Sequence, residues 1–147
     1  MLLSTFRRYE TQLIHWMRRY GLTFLRLSIG SIFVWFGLLK VIGYSPATEL
    51  VTQTVYWVDP AWFVPFLGWW EVVIGLCFLH RPMLRLGLLL LAPQMVGTVL
   101  PLFLLPHITW QSVGLPTMEG QYIIKNLLII SGALVVGAHL NDKKEHA

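Results

Sequence analysis

Charge is scarce in this chain of 147 residues: 12% are Asp, Glu, Lys or Arg, against 56% hydrophobic. With a mean hydropathy of +0.64, that shortage excludes an ordinary soluble domain and leaves an integral membrane protein. Cysteine is scarcer still. Cys77 stands alone, which excludes dithiol–disulfide chemistry within one chain and any Cys-rich metal site. Lys and Arg are missing altogether from two stretches, 43–59 and 106–117. An uncharged core is missing from 1–20, where Arg7, Arg8, Arg18 and Arg19 interrupt the apolar run, so this stretch does not read as a signal peptide. No nucleophile–base arrangement, phosphate loop, metal motif, internal repeat or low-complexity segment is visible.

What is present is hydrophobic length. Apolar runs over about 21–42, 60–79, 83–105 and 118–139 are each long enough to cross the ~30 Å hydrocarbon core of a bilayer. The expected fold is all-α, an antiparallel bundle of four transmembrane helices. Before it, 1–20 places Phe6, Tyr9, Leu13, Met17 and Tyr20 on one helical face with the arginines and His15 opposite. That pattern predicts an amphipathic helix on an anionic leaflet. After Gly43-Tyr44-Ser45-Pro46, Ser45 as N-cap and Pro46 as first helical residue predict a short interfacial helix, with Leu50, Val51, Thr54, Val55 and Val58 as its apolar stripe. Asp59-Pro60 repeats that signal at the start of the second span, and Thr117 can cap the fourth. The segment 106–116 is expected to be an irregular loop, and 140–147 a tail.

The basic residues Arg7, Arg8, Arg18, Arg19, Arg81, Arg85, Lys143 and Lys144 all fall at one end of these four spans. The positive-inside rule then puts both termini in the cytoplasm. It also accounts for the formal charge of +4 without nucleic acid as a partner.

Glu71 sits near the middle of the second span, where an unpartnered carboxylate costs roughly 2–4 kcal/mol. Gly68, Glu71 and Gly75 share one helical face, as do Arg26, Gly30, Phe33, Gly37 and Lys40 in the first span. Small residues on such faces let helices approach closely. At ~1.5 Å per residue from a boundary at Gly21, Arg81, Arg85 and His139, Glu71 and Gln94 lie about 14 Å in, Lys125 about 21 Å, Arg26 about 8 Å and Lys40 about 28 Å. Glu71 leans toward its helix N-terminus, so Lys125 is its expected partner, with Arg26 second. Gln94 and Asn126 are expected to complete the buried polar centre.

Two readings of that centre stay open. A buried Glu–Lys pair can simply fix helix register. Alternatively the centre, with Trp35, Trp69, Trp70 and Tyr122, forms an outward-opening pocket for a quinone, a lipid or another flat apolar ligand. A haem held by His80 and His139 is set aside, because both end spans at the membrane boundary, where polar terminators are ordinary.

Three segments carry a family resemblance. Gly21-Leu22-Thr23-Phe24-Leu25-Arg26-Leu27-Ser28-Ile29-Gly30, continuing to Phe36-Gly37-Leu38-Leu39-Lys40, resembles the first helix of DoxX-like membrane proteins, most of all the YkgB-type, reactive-chlorine-resistance branch. Glu71-Val72-Val73-Ile74-Gly75-Leu76 is similar to that branch's second helix, and Lys125-Asn126-Leu127-Leu128 to the lysine-led start of the fourth. The resemblance implies a bacterial four-helix inner-membrane protein linked to oxidative or sulfur redox chemistry, with a redox protein or a second copy as partner. It assigns no catalytic residues. The expected function is a non-catalytic binding or scaffolding component of a redox or stress system; the alternative is a quinone-linked oxidoreductase subunit.

Overall fold

The first helix, α1, runs from Leu2 to Val41 without interruption. The computed structural model describes residues 2–140, with side chains from Phe6 onward. A surface helix ending at residue 20 and a separate span from 21 are therefore replaced by one helix. Nothing at Tyr20-Gly21-Leu22 stops it: no proline is present, and a single mid-helix glycine costs only about 1 kcal/mol. Its 40 residues extend ~60 Å, twice the hydrocarbon thickness. The amino-terminal part projects beyond the bundle, and Phe6, Tyr9, Leu13, Met17 and Tyr20 are all exposed. No other described part of the chain covers that apolar face. The tail beyond Leu140 lies outside the described residues.

After a turn at Gly43, whose φ of 78° needs a residue without a side chain, α2 spans Thr48–Thr54. It starts two residues later than the Ser45-Pro46 signal implies. The Ser45 hydroxyl accepts from Ala47 N at 3.3 Å, so it stabilises the turn leading into the helix. Helix α3, Pro60–Leu79, is capped by Asp59, whose carboxylate accepts from Ala61 N, with Pro60 in the first turn. A 3-10 turn, Arg81–Met83, reverses the chain into α4, Leu84–Val99. A proline-led turn, α5, Pro101–Leu104, extends it. Among the described residues four helical segments are long and apolar enough to cross a membrane, and the chain is a multi-pass, all-α membrane protein.

The segment 106–116 is more ordered than an irregular loop. It holds the short helix α6, Pro106–Thr109, and a hairpin of β1, Trp110–Ser112, with β2, Leu115–Pro116. Gly114, at φ 79°, makes its turn. Polar side chains staple the hairpin down: Trp110 Nε1 donates to Leu102 O at 3.2 Å, and the Thr117 hydroxyl to Ile108 O at 2.7 Å. The Thr117 oxygen also accepts from Gly120 N, which caps α7, Met118–Ala138.

Around the bundle, α1 packs on α3 and α7, and α4 packs on the same two. The core gathers Ile29, Phe33, Ile74, Phe78, Leu91, Met95, Ala133 and Val136. Cys77 is buried beside Gly87, where an added Cβ would stand 2.9 Å from the Cys77 Cβ. The tightest seam is α1 against α3. A Cβ on Gly37 would stand 2.6 Å from Gly68 O, and one on Gly75 2.6 Å from Gly30 O. Two glycine pairs, one heptad apart on each helix, thus bring two backbones into contact.

Candidate functional site

The glycine seam sets the register from which the polar centre is built. Gly30 faces Gly75 and Gly37 faces Gly68; in the same antiparallel register Arg26 reaches Leu79, donating from a guanidinium nitrogen to Leu79 O at 3.3 Å. That carbonyl is in the last residue of α3, where a cation completes an otherwise open helix end. Arg26 is buried but does not approach Glu71.

Glu71 pairs with Lys40. Lys40 Nζ lies 2.6 Å from Glu71 Oε2, and both side chains are over 90% buried. Lys125, the partner expected from depth, does not make this contact, and neither does Arg26. The reason is direction. In the glycine register Lys40 stands level with Pro65, roughly 9 Å from Glu71 along the axis. Side chains lean toward the N-terminus of their own helix. On antiparallel α1 and α3, Lys40 and Glu71 therefore lean toward each other and close the gap. On α7, which runs parallel to α3, Lys125 leans the same way as Glu71 and withdraws from it. Gly68 clears the route, since a Cβ there would stand 2.9 Å from the Lys40 Cβ.

Gln94 of α4 satisfies the second carboxylate oxygen, with Nε2 donating to Glu71 Oε1 at 2.7 Å. A carboxylate only accepts, so the amide must present its NH2 side here. The Thr98 hydroxyl donates to Gln94 O at 2.9 Å, holding the next turn of α4. Glu71 thus ties three spans together, with each oxygen bonded and its charge matched by Lys40.

This network forms one wall of a cavity of about 490 Å³ between the four spans. Lys40, Glu71, Gln94, Lys125 and Asn126 all line it. Leu50, Val51 and Thr54 of α2, with Val55 just after it, also line it, so the apolar stripe of the short helix is turned onto the cavity. Phe63, Phe66 and Trp70 form an aromatic wall along α3, with ring centroids 6.4 and 6.3 Å apart. Ile32, Phe36, Phe66 and Tyr122 line the space and are also exposed, so it opens sideways between helices.

Of the four aromatic residues expected in the pocket, Trp70 and Tyr122 line it. Trp35 and Trp69 do not: both point outward, 69% and 55% exposed. Adjacent helical residues diverge by about 100°, so Trp69 cannot share a face with Trp70, nor Trp35 with Phe36. Phe36, Phe63 and Phe66 were not expected. The spacing of Phe63, Phe66 and Trp70 at i, i+3 and i+7 would have found the α3 wall. On α7, Ile123, Gly132, Ala133 and Val136 are buried while Lys125 is exposed to the cavity. Among the described residues Lys125 has neither a salt bridge nor a hydrogen bond. His139 Nδ1 donates to Val135 O at 2.8 Å, and no group of three or more His, Cys, Asp or Glu side chains is gathered among the described residues.

Compared with known proteins, the chain matches no protein-family model, no curated protein and no solved structure.

Proposed function

We propose that this protein is a DoxX-like inner-membrane component that binds an apolar molecule in the cavity between its spans and performs no chemistry of its own. The cavity carries the reading. Its size is that of a small-molecule site, largely apolar with a few convergent polar groups, and four spans together with α2 contribute to it. The ion pair at its wall is already neutral and hydrogen-bonded, which suits a structural support better than a reactive centre. With both termini in the cytoplasm, as the basic residues imply, α2 and the hairpin face the periplasm. The cavity is then reached from the outer half of the bilayer. A role in a redox or stress system follows from the resemblance of the first, second and fourth helices to that family.

The aromatic wall of Phe63, Phe66 and Trp70 supports a second reading, in which a quinone ring lies in the cavity and the chain is a subunit of a quinone-linked oxidoreductase. Extraction of the purified protein, with mass spectrometry and ultraviolet spectra of the extract, tests both. Gly97→Leu is the control, because Gly97 lines the cavity and a Cβ there meets nothing within 4 Å. A molecule retained by the native chain and lost from Gly97→Leu is the expected result, and a quinone spectrum would favour the second reading. Equal retention by both proteins would remove the cavity as the binding site. Labelling of single cysteines from the periplasm in a Cys77→Ala background checks orientation: position 111 should react and position 147 should not.

A further inference from the structure

We infer that the cavity's ligand is an anion, a single-chain amphiphile ending in a carboxylate, whose headgroup is held by Lys125. This rests on the cavity being a binding site, as proposed above. The charge count carries it. Among the described residues four side chains that can ionise line the space: Lys40, Glu71, Tyr122 and Lys125. Lys40 and Glu71 cancel each other at 2.6 Å, and a tyrosine is ordinarily neutral. One ammonium, that of Lys125, is left over. Glu10, Glu49, Asp59 and Glu119 are the other carboxylate residues of the described chain, and none bonds to it.

Lys125 comes seven residues after the start of α7 at Met118, roughly 10 Å along the helix. Its charge therefore starts below the end of the bundle that carries α2. Lys125 is exposed on the cavity side, so its ammonium is open to a ligand's counter-charge. Tyr122 and Asn126 line the same wall, one turn before Lys125 and one residue after it. Neither side chain makes a hydrogen bond among the described residues. A hydroxyl, an amide and an ammonium on one helix, all lining the space, are the donor types that a carboxylate accepts from.

Shape limits the rest of the ligand. Ala47, Leu50, Val51, Thr54 and Val55 bring α2 and the residues flanking it against the cavity. The volume of about 490 Å³ lies in the range of a site for one small ligand. The exposed Ile32, Phe36 and Phe66 give one chain an apolar exit into the bilayer.

The test is equilibrium binding to the full-length protein in phosphatidylcholine nanodiscs, using palmitate, hexadecanol and a short-tailed ubiquinone in turn. Intrinsic tryptophan emission supplies the signal, and Lys125→Met, Lys125→Arg and Gly97→Leu are measured beside the native chain. Palmitate should bind about tenfold more tightly than hexadecanol, a difference of about 1.4 kcal/mol. Lys125→Met should abolish that preference, Lys125→Arg should keep it, and Gly97→Leu should weaken all binding. Unchanged melting temperatures separate these effects from misfolding. Should Lys125→Met fail to fold, Lys125→Gln and Asn126→Leu measure the same preference. Equal binding of acid and alcohol, or a preference that survives loss of the ammonium, overturns the carboxylate while leaving the cavity as a site. The same holds if the quinone binds best. Failure of all three molecules to bind the native chain overturns the cavity reading itself.

Discussion

Two faces of α1 treat a lysine in opposite ways. Toward α3, Gly30, Gly37, Gly68 and Gly75 bring the backbones so close that a Cβ at any of them would lie 2.6–2.9 Å from its neighbour. Lys40 runs down that seam and is locked onto Glu71. Toward α7 the contact is looser, the cavity opens, and Lys125 lines it with no partner among the described residues. Both lysines lie in apolar helices. Helix direction and the size of the residues around them make one structural and leave the other available.

The largest effect should come from breaking the locked side. Glu71→Gln strands the Lys40 ammonium, and Lys40→Met strands the carboxylate; each should cost about 3–5 kcal/mol, as removing one member of a buried pair does. The double variant should recover much of the loss. Thermal unfolding in detergent, read as a double-mutant cycle, measures this. The companion cycle of Glu71→Gln with Lys125→Met should be close to additive, and a large coupling there would overturn the assignment of Lys40.

A smaller effect tests the seam itself. Gly68→Ala places a methyl group 2.7 Å from Gly37 O and 2.9 Å from the Lys40 Cβ, and should destabilise by about 1–3 kcal/mol, the usual range for overpacking. Gly21→Ala, where a Cβ meets nothing within 4 Å, should instead gain up to about 1 kcal/mol from helix propensity. Similar melting shifts for the two would mean that α1 and α3 are not in glycine contact.

The smallest effect per residue lies at the amino-terminal end of α1. Its apolar face is exposed, and each of Arg7, Arg8, Arg18 and Arg19 is worth about 1 kcal/mol near an anionic leaflet. Replacing all four by Gln should increase protease cleavage within 1–20 in vesicles containing anionic lipid. Unchanged protection would show that protein contacts hold this segment.

The polar inventory of the site was legible in the sequence because Glu71, Lys40, Gln94 and Lys125 are rare residue types in apolar runs. Their pairing was not. Depth counted along each helix put Lys40 near the far surface, since the count carried neither the α1–α3 register nor the lean of the lysine. The heptad spacing of Gly30 with Gly37 and of Gly68 with Gly75 contained that register, but only as two separate faces. Trp35 and Trp69 were misplaced for a related reason: an aromatic residue in a span can face lipid or protein at similar cost, so its identity does not choose the face.

By itself, then, the sequence determined that this is an all-α membrane protein with four apolar helices, and where Asp59 and Thr117 cap two of them. Hydropathy and capping act over a few residues, so neighbouring chain is enough to decide them. Only the tertiary structure decided that Glu71 takes Lys40 and that α2 lies against a cavity lined by Lys125. Those outcomes depend on which helices touch, in what direction and at what register, and contacts between helices are set by residues far apart in the chain.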